Sequence, residues 1–264
     1  MLTGILIIAR AGSSRLSNKH FLNLCGAPIL SYLIGRIQYE FTDELKQKKV
    51  ELIIITGKSD PQNRLFEQFD IPVFYGNDNN IPLRQLEASE AFKLDNIISI
   101  DGDDILCSTT GMRQIYDSLT KIKNKYVCVT GLPLGMNVCG YSIDYLSHSL
   151  NNSSYQLLEN GWGRIFNKND LVTICMYSNN FVNNGDIASK FNIVYRFTLD
   201  YIDDFKFFAV IINELKESIY TINDDDLIEY VKQHKLYEIN NHLSEEYWIN
   251  YNKLVDMEVK NDFK

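Results

Sequence analysis

A basic segment rich in small residues directly follows the first apolar run of the chain. It reads Ala9-Arg10-Ala11-Gly12-Ser13-Ser14-Arg15-Leu16-Ser17-Asn18-Lys19. Small residues let successive backbone N–H groups approach an anion, while two arginines and one lysine supply three fixed cations. The segment therefore predicts a loop that binds a triphosphate. The alternative is a polar surface turn whose charges are solvated.

The spacing separates this loop from two well-known phosphate-binding patterns. Gly12 and Lys19 do not fit G-x-x-x-x-G-K-[ST], and no G-x-G-x-x-G follows the first apolar run. We therefore exclude a P-loop and a dinucleotide-binding turn. A cationic loop in an acidic protein still indicates a small anionic ligand.

Carboxylates end two later apolar runs. The stretch Asp101–Asp104 (DGDD) closes one run, and Asp200 follows another. Carboxylates beside a glycine at a strand end suit a hard cation that keeps its waters and takes phosphate oxygens. The structural alternatives are an Asx turn at the Asp-Gly step and a helix cap at Asp200, with Asp203 and Asp204 serving the helix dipole.

Apolar runs rich in β-branched residues alternate with helical patterns along the chain. We expect strands over Gly4–Arg10, Glu51–Thr56, Pro72–Tyr75, Asn96–Asp101, Tyr126–Thr130, Leu171–Tyr177 and Val194–Leu199. We expect helices from Pro28, around Leu86–Phe92, from a cap at Ser108 or Thr109, and after Asp200. This alternation predicts an α/β fold with a doubly wound, mainly parallel nucleotide-binding sheet. Such sheets bind ligands at the C-terminal ends of their strands, where the loop and the carboxylates lie.

One main domain accounts for most of the chain. We predict this α/β domain over residues 1–220, with an irregular insertion at residues 131–168 that serves as a lid or a dimer arm. Residues 221–264 follow a polar break and form a small helical appendage, with helices over Asp225–Lys235 and Ser244–Leu254. The caps that we expect for these two helices are Asp224 and Ser244.

Composition and charge narrow the class of protein. The 264 residues are 45% hydrophobic and 23% charged, as in ordinary globular proteins, and carry a net charge of −8. That charge argues against nucleic acid as a partner, and no apolar run has the length of a membrane span. Five scattered cysteines without a Cys-x-x-Cys pair predict small buried side chains in a reducing, cytoplasmic setting.

The basic loop and the segment after it carry a family resemblance. ARAGSSRLSNK, followed by HFLNLCGAPILSYLIGRI, resembles the N-terminal signature of the cytidylyltransferases that make CMP-activated sugars. These enzymes include the CMP-KDO and CMP-sialic acid synthetases and, more similar still, the spore-coat polysaccharide type. Later segments with the same resemblance are Gly76–Arg84, Glu87–Phe92, Leu132–Leu146 (LPLGMNVCGYSIDYL), Arg196–Leu215 (RFTLDYIDDFKFFAVIINEL) and Asp225–Asn240.

The resemblance implies a nucleotidyltransferase that transfers CMP from CTP to an acidic acceptor and releases pyrophosphate. It implies a sugar acid or a phosphate- or phosphonate-bearing small molecule as acceptor, for the biosynthesis of surface glycans or related conjugates. The dimeric habit of the CMP-sugar synthetases also implies a homodimer. In that dimer, Leu132–Lys168 would reach across to the second subunit's site.

The resemblance also assigns site residues. The catalytic set is Arg10, Lys19, Asp103 and Asp200, of which Asp103 and Asp200 hold Mg²⁺. The nucleotide-binding set is Ala9, Arg10, Ala11, Gly12, Ser13, Ser14, Arg15, Lys19, Arg84 and Asp101. Asp101 and Ile105 stand where the family's Q-G-D-E-P pattern has glutamine and proline, a departure that concerns base or ribose recognition.

Two alternatives remain open at this point. Asp101-Gly102-Asp103 also satisfies the Asp-x-Asp motif of metal-dependent glycosyltransferases that bind nucleotide sugars on an α/β fold. Such enzymes bind a diphosphate, however, and rarely need three cations in the first loop. The other alternative is a catalytically degenerate nucleotide-binding subunit, and the joint presence of Lys19, Asp103 and Asp200 argues against it.

Overall fold

Strands and helices alternate in a computed structural model that describes residues 1–13, 15–176 and 195–262. The strands are β1 (Thr3–Ile8), β2 (Asn23–Leu24), β3 (Ala27–Pro28), β4 (Val50–Gly57), β5 (Val73–Gly76), β6 (Asn96–Asp101), β7 (Tyr126–Thr130), β8 (Cys139–Ser142) and β9 (Val172–Cys175). The α-helices are α1 (Leu30–Glu40), α2 (Thr42–Lys46), α3 (Ile81–Phe92), α4 (Thr109–Asp117), α5 (Ile143–Asn151), α6 (Ile202–Leu215), α7 (Asp224–Gln233) and α8 (Ser244–Asp262). Over these described ranges, no helix combines the length and the apolar character needed to cross a bilayer.

Seven of the strands form one sheet in the order β5-β4-β1-β6-β8-β7-β9. Only β8 runs antiparallel to its neighbours β6 and β7; the other pairings are parallel. All six residues of β1 are buried, because helices cover both faces of the sheet. Ile5 and Ile7 face one hydrophobic cluster, and Leu6 and Ile8 face the other. The predicted α/β fold with a doubly wound, mainly parallel sheet is confirmed.

The register of the central strands brings the predicted site segments together. Ile8, at the end of β1, pairs with Asp101, at the end of β6. The basic loop and the acidic stretch therefore leave the sheet side by side at its C-terminal edge. Gly102 permits this approach, since a Cβ there would lie 3.0 Å from both Ala9 Cβ and the Ile8 carbonyl oxygen.

Two predicted elements differ in the structure. The helix expected from Pro28 begins at Leu30, because Pro28 closes a two-stranded hairpin with β2 across a turn at Cys25 and Gly26, both with positive φ. The strand expected over Val194–Leu199 is wrong. Val194 lies outside the described residues, and the rest of the segment is extended with a single bridge from Arg196 to Leu134.

Residues 131–168 are more regular than the sequence suggests. β8 lies inside the sheet between β6 and β7, and α5 begins at its cap, Ser142, whose hydroxyl accepts the Tyr145 N–H at 3.3 Å. The prediction of an irregular insertion is therefore wrong for Cys139–Asn151. Turns and short 3-10 helices from 152 to 171 make up the irregular part.

The C-terminal helices also differ in detail from the prediction. The cap of α7 is Asn223, whose side chain accepts the Asp226 N–H, whereas Asp224 is buried and accepts the Ser108 hydroxyl. By contrast, Ser108 caps α4 as expected. α8 continues to Asp262, well past the predicted end at Leu254, because its last turns contact residues 156–164.

Two cysteines form a disulfide, contrary to the expectation of five unpaired buried side chains. Cys128 on β7 lies directly opposite Cys139 on β8, with their Cα atoms 4.1 Å apart, and the two are bonded. Of the others, Cys107 is buried but Cys25 and Cys175 are exposed. Scattered spacing concealed the pair, because the antiparallel register of two neighbouring strands, not sequence proximity, brings the thiols together.

Candidate active site

A cleft of about 340 Å³ opens at the C-terminal edge of the sheet, above β1 and β6. Its cationic lining residues are Arg10, Arg15, Lys19 and Arg84. Its acidic lining residues are Asp101, Asp103, Asp104, Glu159 and Asp200. A cleft at this edge is where open α/β sheets bind their ligands.

Part of the basic loop lines the cleft, and two of its backbone N–H groups are bonded within the protein. Ala9 and Ser13 also line the cleft, whereas Ala11 and Gly12 lie outside its lining and Ser14 lies outside the described residues. The Ala9 N–H donates to the Ile55 carbonyl at 3.1 Å, and the Ala11 N–H donates to Asn63 Oδ1 at 2.9 Å. These two amides are therefore engaged within the protein, so an anion would be bound by the cations of the loop and by its other amides.

Lys19 lies at the centre of the cluster. Its Nζ donates to Asp103 Oδ2 at 2.6 Å and to Asp200 Oδ1 at 3.0 Å, across 84 and 181 positions of sequence. Although burial disfavours the charged ammonium, the two carboxylates raise the pKa of Lys19 above its ordinary value. The structure thus brings together three of the four residues that the sequence assigned to catalysis.

Asp200 is 1% exposed and is surrounded by cations. Oδ1 accepts Arg15 Nη2 at 2.5 Å as well as Lys19 Nζ, and Oδ2 accepts Arg196 Nη2 at 3.1 Å. Burial alone would raise its pKa, but Lys19, Arg15 and Arg196 together lower the pKa of Asp200 to about 2. The carboxylate is therefore ionised throughout the physiological range.

Asp101 and Asp104, on either side of Asp103, have raised pKa values, in contrast to the lowered pKa of Asp200. Asp101 ends β6 with an exposed side chain, yet desolvation by the protein around it, followed by the charge of Asp103, raises the pKa of Asp101 to about 7. The same two causes raise the pKa of Asp104 well above its ordinary value. The end of β6 therefore carries two kinds of carboxyl group. Asp103 pairs with Lys19, whereas Asp101 and Asp104 keep their protons to a higher pH than ordinary aspartates.

Arg84 and Arg10 meet at Glu159, which sequence analysis did not identify. Arg84 is 1% exposed and donates to the Asn77 carbonyl at 2.6 Å, the Asp78 carbonyl at 2.9 Å and Glu159 Oε2 at 3.0 Å. Arg10, which is mostly exposed, approaches Glu159 Oε1 at 3.6 Å. Glu159 stands in an irregular stretch with no periodicity, so no sequence signal marks it.

The C-terminal helix α8 supplies an aromatic wall to the cleft, which the sequence also did not predict. Tyr247, Tyr251 and Leu254 line it, facing the turn that contains Gly161 and Trp162. The Tyr247 ring packs on the Arg196 guanidinium at 4.5 Å from its centroid. The residues after 220 therefore contribute directly to the site.

Asp103 and Asp200 present a geometry that fits a metal ion. Their Oδ2 and Oδ1 atoms converge on one cationic atom, Lys19 Nζ, so the two carboxylates could share a cation there if Lys19 moved aside. Within the described residues, no group of three or more His, Cys, Asp and Glu side chains is arranged to hold a metal. The pair therefore suits an ion that completes its shell with phosphate oxygens and water.

The chain resembles known proteins in both sequence and fold. A family model described as cytidylyltransferase matches residues 4–158. An uncharacterized protein of Methanocaldococcus jannaschii is 26% identical over 236 residues, covering 83% of this chain and 85% of that protein. A cytidylyltransferase structure from Leptospira borgpetersenii has a TM-score of 0.70 and 20% identity, covering 90% of this chain and 96% of its own. CMP:2-keto-3-deoxy-manno-octonic acid synthetase with CTP has a TM-score of 0.57 and 12% identity, covering 81% and 99%.

Proposed function

The chain belongs to the cytidylyltransferase family, whose model matches more than half of it, and we propose that it transfers CMP from CTP to a small acidic acceptor with release of pyrophosphate. The observation that carries this proposal is the position of Lys19. It lies between Asp103 and Asp200 at the C-terminal edge of the sheet, beside Arg15. Cations and carboxylates in this arrangement suit phosphate chemistry at one α-phosphorus.

In the proposed reaction, an ionised oxygen of the acceptor attacks the α-phosphorus of CTP in line. The bond from that phosphorus to the bridging oxygen breaks, and pyrophosphate leaves with the electron pair. Arg10, Arg15 and Lys19 hold the triphosphate and stabilise the charge that develops on the leaving group. A carboxylate or phosphate acceptor is already ionised at neutral pH, so no general base is required.

Asp103 and Asp200 would hold Mg²⁺ through the two oxygens that now flank Lys19 Nζ. When bound, the ion supplies charge neutralisation at the phosphate oxygens. With the ion held by these carboxylates, Lys19 would be available to bind the triphosphate. Both carboxylates and the lysine therefore act on the same phosphate group.

The glycosyltransferase alternative loses support in this geometry. Its Asp-x-Asp motif would need Asp101 and Asp103 to share a cation, yet Lys19 couples Asp103 to Asp200 instead. The geometry therefore favours nucleotidyl transfer over glycosyl transfer, and a functional site over a degenerate one.

We place the product in surface glycan or related conjugate biosynthesis, the activity in the cytoplasm, and the active form as a homodimer. The resemblance to CMP-sugar synthetases supports the product class and the homodimer. The cytoplasmic setting follows from the scattered cysteines without a Cys-x-x-Cys pair, although Cys128 and Cys139 are bonded in the structure. In the proposed dimer, the irregular part of Leu132–Lys168, which lines the cleft at Glu159–Gly163, reaches the second subunit, while β8 and α5 stay with the sheet.

A pyrophosphate-release screen tests the proposed function. CTP, UTP, GTP and ATP are each combined with Mg²⁺ and a panel of sugar acids, sugar phosphates, phosphonates and neutral sugars. We expect release with CTP and an ionised acceptor, and none with neutral sugars. Release that depends on UTP or GTP would overturn the assignment, as would hydrolysis of a nucleotide sugar, measured in a parallel assay, by a protein that releases no pyrophosphate.

A further inference from the structure

Behind Asp200, away from the cleft, lies a buried group of polar side chains that the proposed reaction does not use. Arg196, Asp204 and Asn240 are each 0% exposed. Arg196 donates from Nε to Asp204 Oδ1 at 2.8 Å and from Nη2 to Asp204 Oδ2 at 3.1 Å. Asn240 Nδ2 donates to Asp204 Oδ1 at 2.9 Å and to the Arg196 carbonyl at 3.1 Å. A two-point contact of this kind fixes the plane of the guanidinium.

The two carboxylate oxygens of Asp200 have different partners. Oδ2 accepts Arg196 Nη2 at 3.1 Å, whereas Oδ1 accepts Arg15 and Lys19 on the cleft side. The terminal torsion of an aspartate is broad, so a carboxylate held at one oxygen alone can rotate. Arg196 restricts that rotation, because Asp204 holds the guanidinium that Oδ2 contacts.

Asp204 also fixes the backbone at Asp200. Its Oδ2 accepts the N–H groups of Asp200 and Tyr201, each at 2.9 Å. A helix cap needs only such backbone contacts, whereas Asp204 adds Arg196 and Asn240. The sequence-based assignment of Asp204 to the helix dipole therefore explains only part of what it contacts.

We propose that Arg196 and Asp204 are positioning residues that hold the Asp200 carboxylate with Oδ1 toward the cleft, where it meets Lys19 and a divalent cation. The inference rests on the proposed function in one respect, the binding of the cation by Asp200. Neither Arg196 nor Asp204 lines the cleft, so neither contacts the substrate. Arg196 also packs against the cleft-lining ring of Tyr247, and the Asp200→Asn background distinguishes that contact from the one to Asp200.

Mn²⁺ binding in the presence of CTP measures this role without any acceptor. Arg196→Lys keeps the positive charge but removes the two-point contact. We expect it to weaken Mn²⁺ binding by about 10–100-fold, the usual effect of substituting a residue that contacts a metal ligand. The electron paramagnetic resonance signal of free Mn²⁺ measures the binding. The matched control is Arg113→Lys, since Arg113 also contacts two carboxylates, Glu40 and Glu44, but outside the cleft. We expect it to change Mn²⁺ binding by less than about twofold.

Combining Arg196→Lys with Asp200→Asn separates positioning from general damage. If Arg196 acts through Asp200, its substitution has little further effect once Asp200 has lost its charge. Equal losses of Mn²⁺ affinity from Arg196→Lys with and without Asp200→Asn would overturn the inference. Unchanged Mn²⁺ binding in Arg196→Lys, where Asp200→Asn weakens it, would also overturn the inference but not the proposed function. Unchanged binding in Asp200→Asn would overturn the proposed metal role, and the inference with it.

Asp204→Asn serves as the second variant if Arg196→Lys fails to fold. Its amide oxygen can still accept backbone N–H groups, so the helix start is retained, while the ion pair with Arg196 is lost. We expect a loss of Mn²⁺ affinity in the same direction, which again disappears in the Asp200→Asn background. A folded Asp204→Asn protein with unchanged Mn²⁺ affinity would overturn the inference.

Discussion

Lys19 is a buried ammonium between two carboxylates, and its removal tests the loop at the scale of one residue. We expect Lys19→Ala to lower turnover by about 10²–10³-fold, the usual effect of losing one preorganised charge contact. Initial rates of pyrophosphate release measure the loss, and circular dichroism confirms the fold. Lys206→Ala is the control, because Lys206 pairs with Asp203 at the surface. Unchanged turnover in a folded Lys19→Ala protein would exclude the loop as the triphosphate site.

Asp103 and Asp200 provide a second prediction, because both carboxylates approach the same cationic atom. Asp→Asn is nearly isosteric and removes only the charge. We expect either substitution to raise the Mg²⁺ concentration for half-maximal rate and to lower the maximal rate. Since both act through one ion, the double variant should lose less than the two single losses combined. Strict additivity would show that the two do not share a metal ion.

Asp101 gives a prediction about pH and stability. Its pKa is about 7 in the folded protein, above the ordinary value of 3.8, so the folded state binds more protons than the unfolded state between these two pH values. Stability from this group is therefore complete below about pH 4 and is lost as the pH rises through 7. We expect Asp101→Asn to raise the thermal midpoint at pH 8 and to change it little at pH 4.

The control for that measurement is Asp256→Asn, at an exposed position of α8. It should shift the midpoint equally little at both pH values. An Asp101→Asn midpoint that rises as much at pH 4 as at pH 8 would show that packing, not ionisation, causes the effect.

Residue types after apolar runs, together with the family resemblance, singled out Lys19, Asp103 and Asp200. The strand-end rule accounts for Asp103, which follows the buried strand β6 at the edge of the sheet, whereas Asp200 follows a segment that is not a strand. Arg196 and Glu159 could not be found in the same way. Arg196 lies inside an apolar run that resembled a strand, and Glu159 lies in a stretch without periodicity. Their roles depend on contacts with distant residues.

At the scale of elements, Gly135 controls how closely the segment before Asp200 approaches the sheet. It has φ of +87°, and a Cβ there would lie 2.4 Å from the Phe197 carbonyl carbon and oxygen. We expect Gly135→Ala to lower the free energy of unfolding by about 1–3 kcal/mol and to lower turnover, because the segment that carries Asp200 must move. Urea unfolding and pyrophosphate release measure the two effects.

Alanine substitutions at Gly26 and Gly163 separate backbone strain from steric contact as causes of the lost stability in Gly135→Ala. Gly26 also has φ of +87° but has no atom within 4 Å of the added Cβ, so Gly26→Ala reports backbone strain alone. Gly163→Ala meets neither strain nor a neighbour and should be nearly neutral. If Gly135→Ala costs no more than Gly26→Ala, the close contact with Phe197 is not important.

The sheet could be predicted from the sequence because its central strands are buried on both faces and therefore uniformly apolar. The segment over residues 195–199 looks the same in sequence, since it too is mostly buried, yet it forms a single bridge, to Leu134, and donates one further backbone hydrogen bond to the Asp103 carbonyl instead of pairing as a strand. Apolar pattern reports burial; it does not report pairing. Similarly, the antiparallel insertion of β8 depends on tertiary contacts that no local pattern encodes.

At the scale of the whole molecule, α8 links the end of the chain to the cleft. Glu258 pairs with Arg164 at 3.2 Å, and Asp262 accepts the N–H groups of Gln156 and Leu157 at 3.0 Å each. These contacts hold Tyr247 and Tyr251 against the opening above the carboxylates. The helix therefore closes one side of the ligand site. Because a bound nucleotide would contact both α8 and the sheet edge, we expect it to raise the free energy of unfolding.

That expectation gives a test of nucleotide choice. A ligand at 100 times its Kd that binds only the folded state adds about 2.7 kcal/mol to the free energy of unfolding, which for a chain of this size raises the thermal midpoint by about 5–10 °C. We expect CTP with Mg²⁺ to give the largest shift among the four nucleoside triphosphates. A tenfold preference over UTP corresponds to about 1.4 kcal/mol, or about 3–5 °C at equal concentration. Because the triphosphate is common to all four, any difference must come from the base. A larger shift with UTP or GTP would show that the cleft recognises another base and that Asp101, in place of the family's glutamine, has changed the specificity.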